Sequence, residues 1–141
     1  MKLILDNQTL EKYNQYYFSE HPRAHVIPIP NPYHPSINQW FILKRFEMNE
    51  LKQKWKNFIV WWMEDLGYKD AQLQQVKMTF TIYFPNRIRH DVDNQVPKFI
   101  LDGFVEAGLV PDDDEKHITS LTLCTGYDKE NPRTEILIEE I

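Results

Sequence analysis

Two groups of acidic residues, separated by a lysine, have the types and spacing to perform chemistry. Asp91 and Asp93 lie two positions apart, Lys98 follows them, and Asp113 lies in a second acidic run, 112–114. Three carboxylates completed by water suit Mg²⁺, a hard cation that prefers oxygen ligands. A metal there would polarise a phosphodiester, and Lys98 would stabilise developing negative charge. The pattern predicts a nuclease whose catalytic residues are Asp91, Asp93, Asp113 and Lys98, with the three aspartates as metal ligands.

Each part of this pattern also has an ordinary structural explanation. Asp93 or Asn94 could be nothing more than a helix cap, and residues 112–114 could form a solvated turn. Lys98 and Asp102 could be an exposed ion pair one helical turn apart. The combination of the parts, rather than any one of them, favours a functional site.

Composition limits the kind of protein that can contain such a site. The 141 residues, of which 42% are hydrophobic, suit one domain with one core. Cys124 is the only cysteine, so it predicts no intramolecular disulfide and favours the cytosol. The chain shows neither a signal peptide nor an apolar run long enough to cross a membrane, so we expect no membrane partner. His90 and His117 are expected to be structural or surface groups.

Basic residues near the acidic pattern predict a surface for DNA. The net charge of −5 argues against a nucleic-acid binder that is basic all over, so the distribution of charge matters more than its sum. The alternative, that the lysines form the solvated face of a helix, stays open. The predicted DNA contacts are Lys44, Arg45, Lys52, Lys56, Arg87 and Arg89.

Hydropathy patterns predict the elements that must position these residues. Residues 1–22 show no strong period, whereas residues 24–30 resemble an edge strand that contains two prolines. Apolar residues spaced by three or four predict a helix from Met48 to near Gly67. Strict alternation over residues 76–84 predicts a strand with one buried face. Val60 and Trp61 fall off the apolar stripe of the helix, and either a partner subunit or the N-terminal segment could cover them.

A second helix is predicted to begin at Asp93 or Asn94 and to stop at Gly108. Residues 118–124 and 135–141 then read as two strands of a hairpin. The element order is β-α-β-α-β-β. It predicts a single-domain α+β fold, also describable as mixed α/β, with two main helices packed on a small mixed sheet.

The acidic motif and the residues after it resemble the core signature of the RusA family of Holliday junction resolvases, which are common in bacteriophages and prophages. The resemblance is strong over residues 87–123 and weaker before them, where 35–38 is similar to a proline-serine-asparagine stretch of the family. Residues 1–24 have no counterpart and are predicted to be an N-terminal extension of a RusA-like endonuclease domain, 25–141. The matching residues are 91–94, Lys98, Asp102, 107–110 and 112–113.

The resemblance implies a homodimeric, Mg²⁺-dependent endonuclease that cuts four-way DNA junctions by paired incisions in recombination and repair. Mn²⁺ could replace Mg²⁺, no other small-molecule cofactor is implied, and the compartment would be the cytoplasm of a bacterial or phage-infected cell. Asp91, Asp93 and Asp113 match the metal-binding aspartates, and Lys98 matches the catalytic lysine. The chain has one extra residue between Asn94 and Lys98, so that match rests on the spacing from Lys98 to Asp102.

Two other classes of function are open to the sequence. A binding module that retains the fold but cleaves poorly or not at all would account for the acidic balance. A transferase that uses an Asp-x-Asp motif to hold a nucleotide diphosphate is disfavoured, because the chain is short for such folds and lacks a glycine-rich phosphate loop.

Overall fold

The chain forms a single small α+β domain with a mixed sheet, as the sequence predicts, and it has four strands and four α-helices rather than two main helices. The computed structural model describes residues 1–141. In chain order the elements are β1 (Lys2–Asp6), α1 (Asn7–Glu20), α2 (Ile37–Trp40), α3 (Arg45–Leu66), β2 (Val76–Phe84), a 3₁₀ turn (Val92–Gln95), α4 (Lys98–Glu106), β3 (Ile118–Tyr127) and β4 (Arg133–Glu140). None of the helices is both long and apolar enough to cross a bilayer.

The sheet is built around β2, whose alternating pattern the sequence predicts correctly. Its apolar residues at every second position are buried, from Val76 to Phe84, and the residues between them are less buried. The strand order is β1-β4-β2-β3. β2 is parallel to β3 and antiparallel to β4, and β1 is antiparallel to β4. The acidic motif leaves the sheet at the end of β2.

Helices α3 and α4 bury their apolar faces together. α3 buries Trp55, Phe58 and Ile59 among others, and it ends at Gly67, whose φ of 81° is left-handed. Gly103 of α4 lies directly against Ile59, because a Cβ at Gly103 would be 2.5 Å from the Ile59 Cβ. This close approach fixes where α4 presents its polar residues.

The start of α4 is a correction to the sequence prediction. The helix begins at Lys98, not at Asp93 or Asn94, and residues 92–95 form a separate 3₁₀ turn. Pro97 explains the break, because the ring of a proline disfavours helical geometry in the residue before it. Val96 accordingly has an extended ψ of 121°. The acidic loop and the lysine therefore lie on two elements joined by a bend.

The N-terminal residues are the second correction. The sequence shows no strong period in residues 1–22, but the structure places β1 and α1 there, with Leu3, Leu5 and Tyr13 in the core. The predicted edge strand over residues 24–30 is wrong, because that segment forms no strand. β1 has five residues and only two buried positions, which is too short a pattern to recognise. The isoleucines and the valine between prolines in residues 24–30, in contrast, resemble the pattern of a strand.

The predicted hairpin of the last two strands is also wrong. β3 and β4 follow one another in the chain, but β2 lies between them in the sheet. The connecting residues 128–132 cross the end of β2, where the Asp128 N–H donates to the Phe84 carbonyl at 2.9 Å. Five residues easily span two strand spacings, roughly 9.5 Å. The element order also differs from β-α-β-α-β-β, because three helices lie between β1 and β2.

Aromatic side chains of helix α1 pack on Trp61. The Tyr13 ring lies 5.1 Å from the Trp61 ring and the Tyr16 ring lies 6.0 Å from it, centroid to centroid. Val60 is half-buried and packs on the same core. The N-terminal segment therefore packs on Trp61.

Candidate functional site

Lys98 lies between two carboxylates at the first residue of α4. Its Nζ is 3.1 Å from Asp102 Oδ1, one turn further along the helix, and 3.6 Å from Asp113 Oδ2, in the loop after α4. Asp102 also contacts α3, because its Oδ2 is 3.6 Å from Lys52 Nζ. The fold thus brings Asp113 to Lys98, although fifteen positions separate them in the sequence.

These neighbours keep the lysine charged. Partial burial favours the neutral amine, but the hydrogen bond and negative charge of Asp102, together with those of Asp113, outweigh it and raise the pKa of Lys98. The ammonium is therefore protonated at neutral pH. It can donate hydrogen bonds to an anion such as a phosphate oxygen, but it cannot act as a general base.

Asp91 and Asp93 lie on the exposed loop that leaves β2. Asp91 directly precedes the 3₁₀ turn, and its Oδ1 is 3.3 Å from Arg89 Nε. Asp93, in the turn itself, is exposed and forms no ion pair within 4 Å. Their carboxylates have the donor chemistry that Mg²⁺ prefers. The structure brings no three His, Cys, Asp or Glu side chains together closely enough to hold a metal ion, so Asp91, Asp93 and Asp113 are not gathered as one ligand set.

The second acidic run divides into one residue that meets the lysine and two that stabilise the turn. Asp112 Oδ1 accepts a hydrogen bond from the Asp113 N–H at 2.8 Å. Asp114 Oδ1 lies 2.6 Å from Nδ1 of His117, and this hydrogen bond holds the pKa of Asp114 below its usual value. The structural explanation thus accounts for Asp112 and Asp114, whereas Asp113 contacts Lys98.

A buried histidine, which the sequence analysis missed, attaches the proline-rich loop to the start of α4. His34 Nε2 accepts the N–H of Phe99 at 2.9 Å, and Nδ1 donates to the Pro35 carbonyl at 2.6 Å. The ring packs against the rings of Trp55 and Phe99. His34 thereby satisfies a backbone donor in the first turn of α4, next to Lys98. A single histidine in a proline-rich loop gives no sequence signal of this contact.

The same loop also holds the acidic turn. The Asn38 N–H donates to Asn94 Oδ1 at 3.1 Å, across 56 positions of sequence. Residues 34–38 therefore contact both the acidic loop and the start of α4. This stretch includes 35–38, which the sequence resemblance singles out, and it lies against the motif that carries the rest of that resemblance.

We expect the buried histidine to make the fold sensitive to acid. Burial lowers the pKa of His34 from 6.5 to about 4, so between these values the unfolded chain binds more protons than the folded one. His34 therefore does not lower the free energy of unfolding above pH 6.5. As the pH falls towards 4, this residue lowers the free energy of unfolding by about 2 to 3 kcal/mol. Urea unfolding of wild type and His34→Gln at pH 7.5 and 4.5 measures it.

The variant should lose less stability between the two pH values than the wild type does. His25→Gln makes the same chemical change at an exposed position, and it should retain the wild-type dependence. Equal dependence on pH in His34→Gln and wild type would refute the assignment.

Some of the basic residues predicted to contact DNA form ion pairs with acidic residues, and others do not. Lys56 lies 3.6 Å from Glu106, and Lys52 and Arg89 pair with Asp102 and Asp91. The Arg87 guanidinium instead lies 4.3 Å from the centre of the Tyr127 ring. Lys44 and Arg45 form no ion pair within 4 Å. Phosphate binding at Lys52, Lys56 or Arg89 would have to exchange one anion for another.

His90 packs as the sequence analysis expects for a structural histidine. Its ring stacks on Phe84, the last residue of β2, with centroids 3.6 Å apart. Its Nε2 is buried and has no hydrogen-bond partner. Stacking on Phe84 fixes the direction in which the chain enters the acidic loop at Asp91.

Comparison with known proteins identifies no relative of this chain. Neither a protein-family model nor a curated protein matches the chain. Function is therefore inferred from the motif and from the contacts around Lys98, Asn94 and Asp113.

Proposed function

We propose that this protein is a Mg²⁺-dependent, structure-specific endodeoxyribonuclease that resolves four-way DNA junctions by paired phosphodiester cleavage. Mn²⁺ would serve in place of Mg²⁺. The proposed ligands are Asp91, Asp93 and Asp113, whose carboxylates the ion would have to draw together, and the proposed phosphate-binding cation is Lys98. The compartment we propose is the cytoplasm of a bacterial or phage-infected cell.

The contact of Lys98 with Asp113 carries the proposal. The resemblance to the resolvase family requires a lysine and the distant aspartate to act at one site, and their side chains lie 3.6 Å apart. The hydrogen bond from Asn38 to Asn94 supports it further, because it joins two stretches of the resemblance that are far apart in the chain.

The residues would divide the work in the following way. A bound Mg²⁺ would polarise the phosphodiester and make water a better nucleophile. Lys98 would hold a phosphate oxygen and stabilise the negative charge that develops as the bond breaks. Asp102 would orient Lys98 through their 3.1 Å contact, and it would keep the ammonium charged. Lys44, Arg45 and Arg87, whose charges are not neutralised by an acid, would contact the DNA backbone.

Two subunits are part of the proposal because of the symmetry of the substrate. A four-way junction has two-fold symmetry, and its resolution needs two matched cuts. A two-fold dimer with one site in each subunit meets that requirement. The two copies would also bring their free basic residues to one junction, which the net charge of −5 makes valuable.

Cleavage of a labelled synthetic four-way junction tests the proposal directly. Linear duplex of the same sequence is the control substrate, and each DNA is incubated with Mg²⁺ or with EDTA. We expect paired cuts in the junction only, and only with metal. A junction left intact at saturating protein with Mg²⁺ and with Mn²⁺ would contradict the nuclease assignment.

A branched-DNA-binding module with weak or no cleavage is the second candidate. The observation that favours it is the neutralisation of the site, in which Lys98 contacts two carboxylates and Arg89 pairs with Asp91. Tight junction binding in EDTA without cutting in Mg²⁺ would select this candidate. Binding of neither junction nor duplex would exclude both.

A further inference from the structure

Three large apolar side chains project into solvent beside the candidate site. Phe41, Ile42 and Phe46 are 74%, 80% and 67% exposed, although they lie within six residues of one another. Exposed apolar residues are ordinary when they are scattered singly, whereas the largest group of them on a protein surface is often a binding surface. We refer to these three residues as the apolar tip.

The apolar tip is attached to the elements of the candidate site. Trp40 packs its ring on Phe99, the neighbour of Lys98, with centroids 5.4 Å apart, and the Phe41 ring centroid lies 6.4 Å from that of Trp40. Asn38, which holds Asn94, lies three positions before Phe41, so their Cα atoms are at most about 11 Å apart. The tip therefore belongs to the same end of the molecule as the acidic turn and Lys98.

The charges beside the apolar tip favour a nucleic acid as the occupant. Lys44 and Arg45 lie between Ile42 and Phe46, and both are exposed and free of ion pairs within 4 Å. Glu47, the nearest acid along the chain, accepts a hydrogen bond from the Lys44 backbone N–H at 3.3 Å. Two free cations beside apolar side chains match the phosphates and base faces of DNA.

The size of the tip argues against a second copy of the chain as its occupant. Three such side chains offer about 400 Å² of apolar surface. Each partner of a stable dimer buries roughly 800 Å², about twice that area. The tip is instead of the size that wedges between two base pairs, as apolar side chains do in proteins that kink DNA.

We propose that the apolar tip inserts at the branch point of the DNA junction, with Phe41 and Ile42 against base faces and with Lys44 and Arg45 on the flanking phosphates. The proposal rests on the proposed function, and it names the feature of the substrate that is recognised. At a branch point the stack of base pairs is interrupted, so insertion there costs less than insertion into a continuous duplex. The tip would thus favour branched over linear DNA without reading a sequence.

Binding in EDTA, where no cutting occurs, tests the insertion separately from the chemistry. The probe is a four-way junction with 2-aminopurine at the branch point, and linear duplex of the same sequence is the control DNA. We expect wild type to raise the 2-aminopurine fluorescence. The double variant Phe41→Ala/Ile42→Ala should abolish that rise and weaken junction binding about tenfold, with duplex binding within about twofold.

Two further variants separate stacking from charge and from general apolar loss. Ile141→Ala removes an apolar side chain that is 66% exposed. Ile141 lies beside the start of β2, whereas the acidic loop follows the end of that strand, so this variant should bind as wild type does. Lys44→Ala/Arg45→Ala should weaken junction and duplex alike, and it should lower the salt dependence by about two counterions.

Several results would overturn the insertion. Unchanged junction affinity and fluorescence in Phe41→Ala/Ile42→Ala would do so, even if wild type cuts junctions in Mg²⁺. Binding of anionic lipid vesicles that is lost in this variant, with junction binding retained, would assign the tip to a membrane surface. Wild type that binds junctions with a fluorescence rise but never cuts them would support the insertion and contradict the nuclease.

Discussion

Asp93→Asn should abolish junction cleavage and leave junction binding within about twofold of wild type. The change removes the charge of a proposed metal ligand but hardly alters the volume of the side chain. A bound metal supplies several kcal/mol of stabilisation to the transition state, which corresponds to about a thousandfold or more in rate. Asp93 is exposed and forms no ion pair within 4 Å, so its replacement should not disturb the fold.

The measurement pairs single-turnover cleavage in Mg²⁺ with junction binding in EDTA. Glu140→Gln is the matched control, because it makes the same kind of change at an exposed carboxylate. Glu140 pairs in register with Val76 at the first residue of β2, whereas the acidic loop follows the last residue of that strand. The control should cut as wild type does. Cleavage by Asp93→Asn at the wild-type rate would show that the proposed site is wrong.

Lys98→Ala should slow the cleavage of bound junction by about a hundredfold to a thousandfold, the cost of removing one positioned donor of charge-stabilising hydrogen bonds. Binding should weaken far less, because several other cations are proposed to contact the backbone of the DNA. The pKa of Lys98 is raised, so its loss removes a full positive charge at neutral pH. Single-turnover rates at saturating protein separate this effect from affinity.

Two lysines provide the comparison for that variant. Lys52→Ala removes a charge that also contacts Asp102, but from α3. It should leave the cleavage rate of the bound complex nearly unchanged, whatever its effect on binding. Lys12→Ala breaks an ion pair with Asp65, at 2.9 Å, between α1 and the end of α3, and it should alter neither quantity. Equal losses of binding and rate in Lys98→Ala would make Lys98 a general phosphate contact.

Local patterns predicted the long elements well. β2 alternates over nine residues and α3 repeats every three or four over 22, so each pattern contains several repeats of its own period. β1 and α1 were missed because β1 has only two buried positions and α1 buries only Leu10 and Tyr13. The start of α4 was misplaced because Asp93 and Asn94 look like helix caps, whereas Pro97 delays the helix to Lys98.

The candidate site was predicted as a set of residues rather than as an arrangement. Sequence spacing correctly joined Lys98 to Asp102, because residues four apart on a helix share a face. The distance from Lys98 to Asp113 depends on how the loop after α4 folds back, which no local pattern encodes. His34 had no signal at all, since its partner, the Phe99 N–H, lies 65 positions away.

The sequence alone determined the residue types of the candidate site, the α+β class, the extent of β2 and most of α3, because these depend on side-chain chemistry and on periods shorter than four residues. Only the tertiary structure decided that β2 separates β3 from β4, that residues 34–38 hold both Asn94 and the start of α4, and that Asp113 meets Lys98. These contacts join distant parts of the chain. They form only when burial of the shared core offsets the entropy of closing long loops, which is a property of the whole fold.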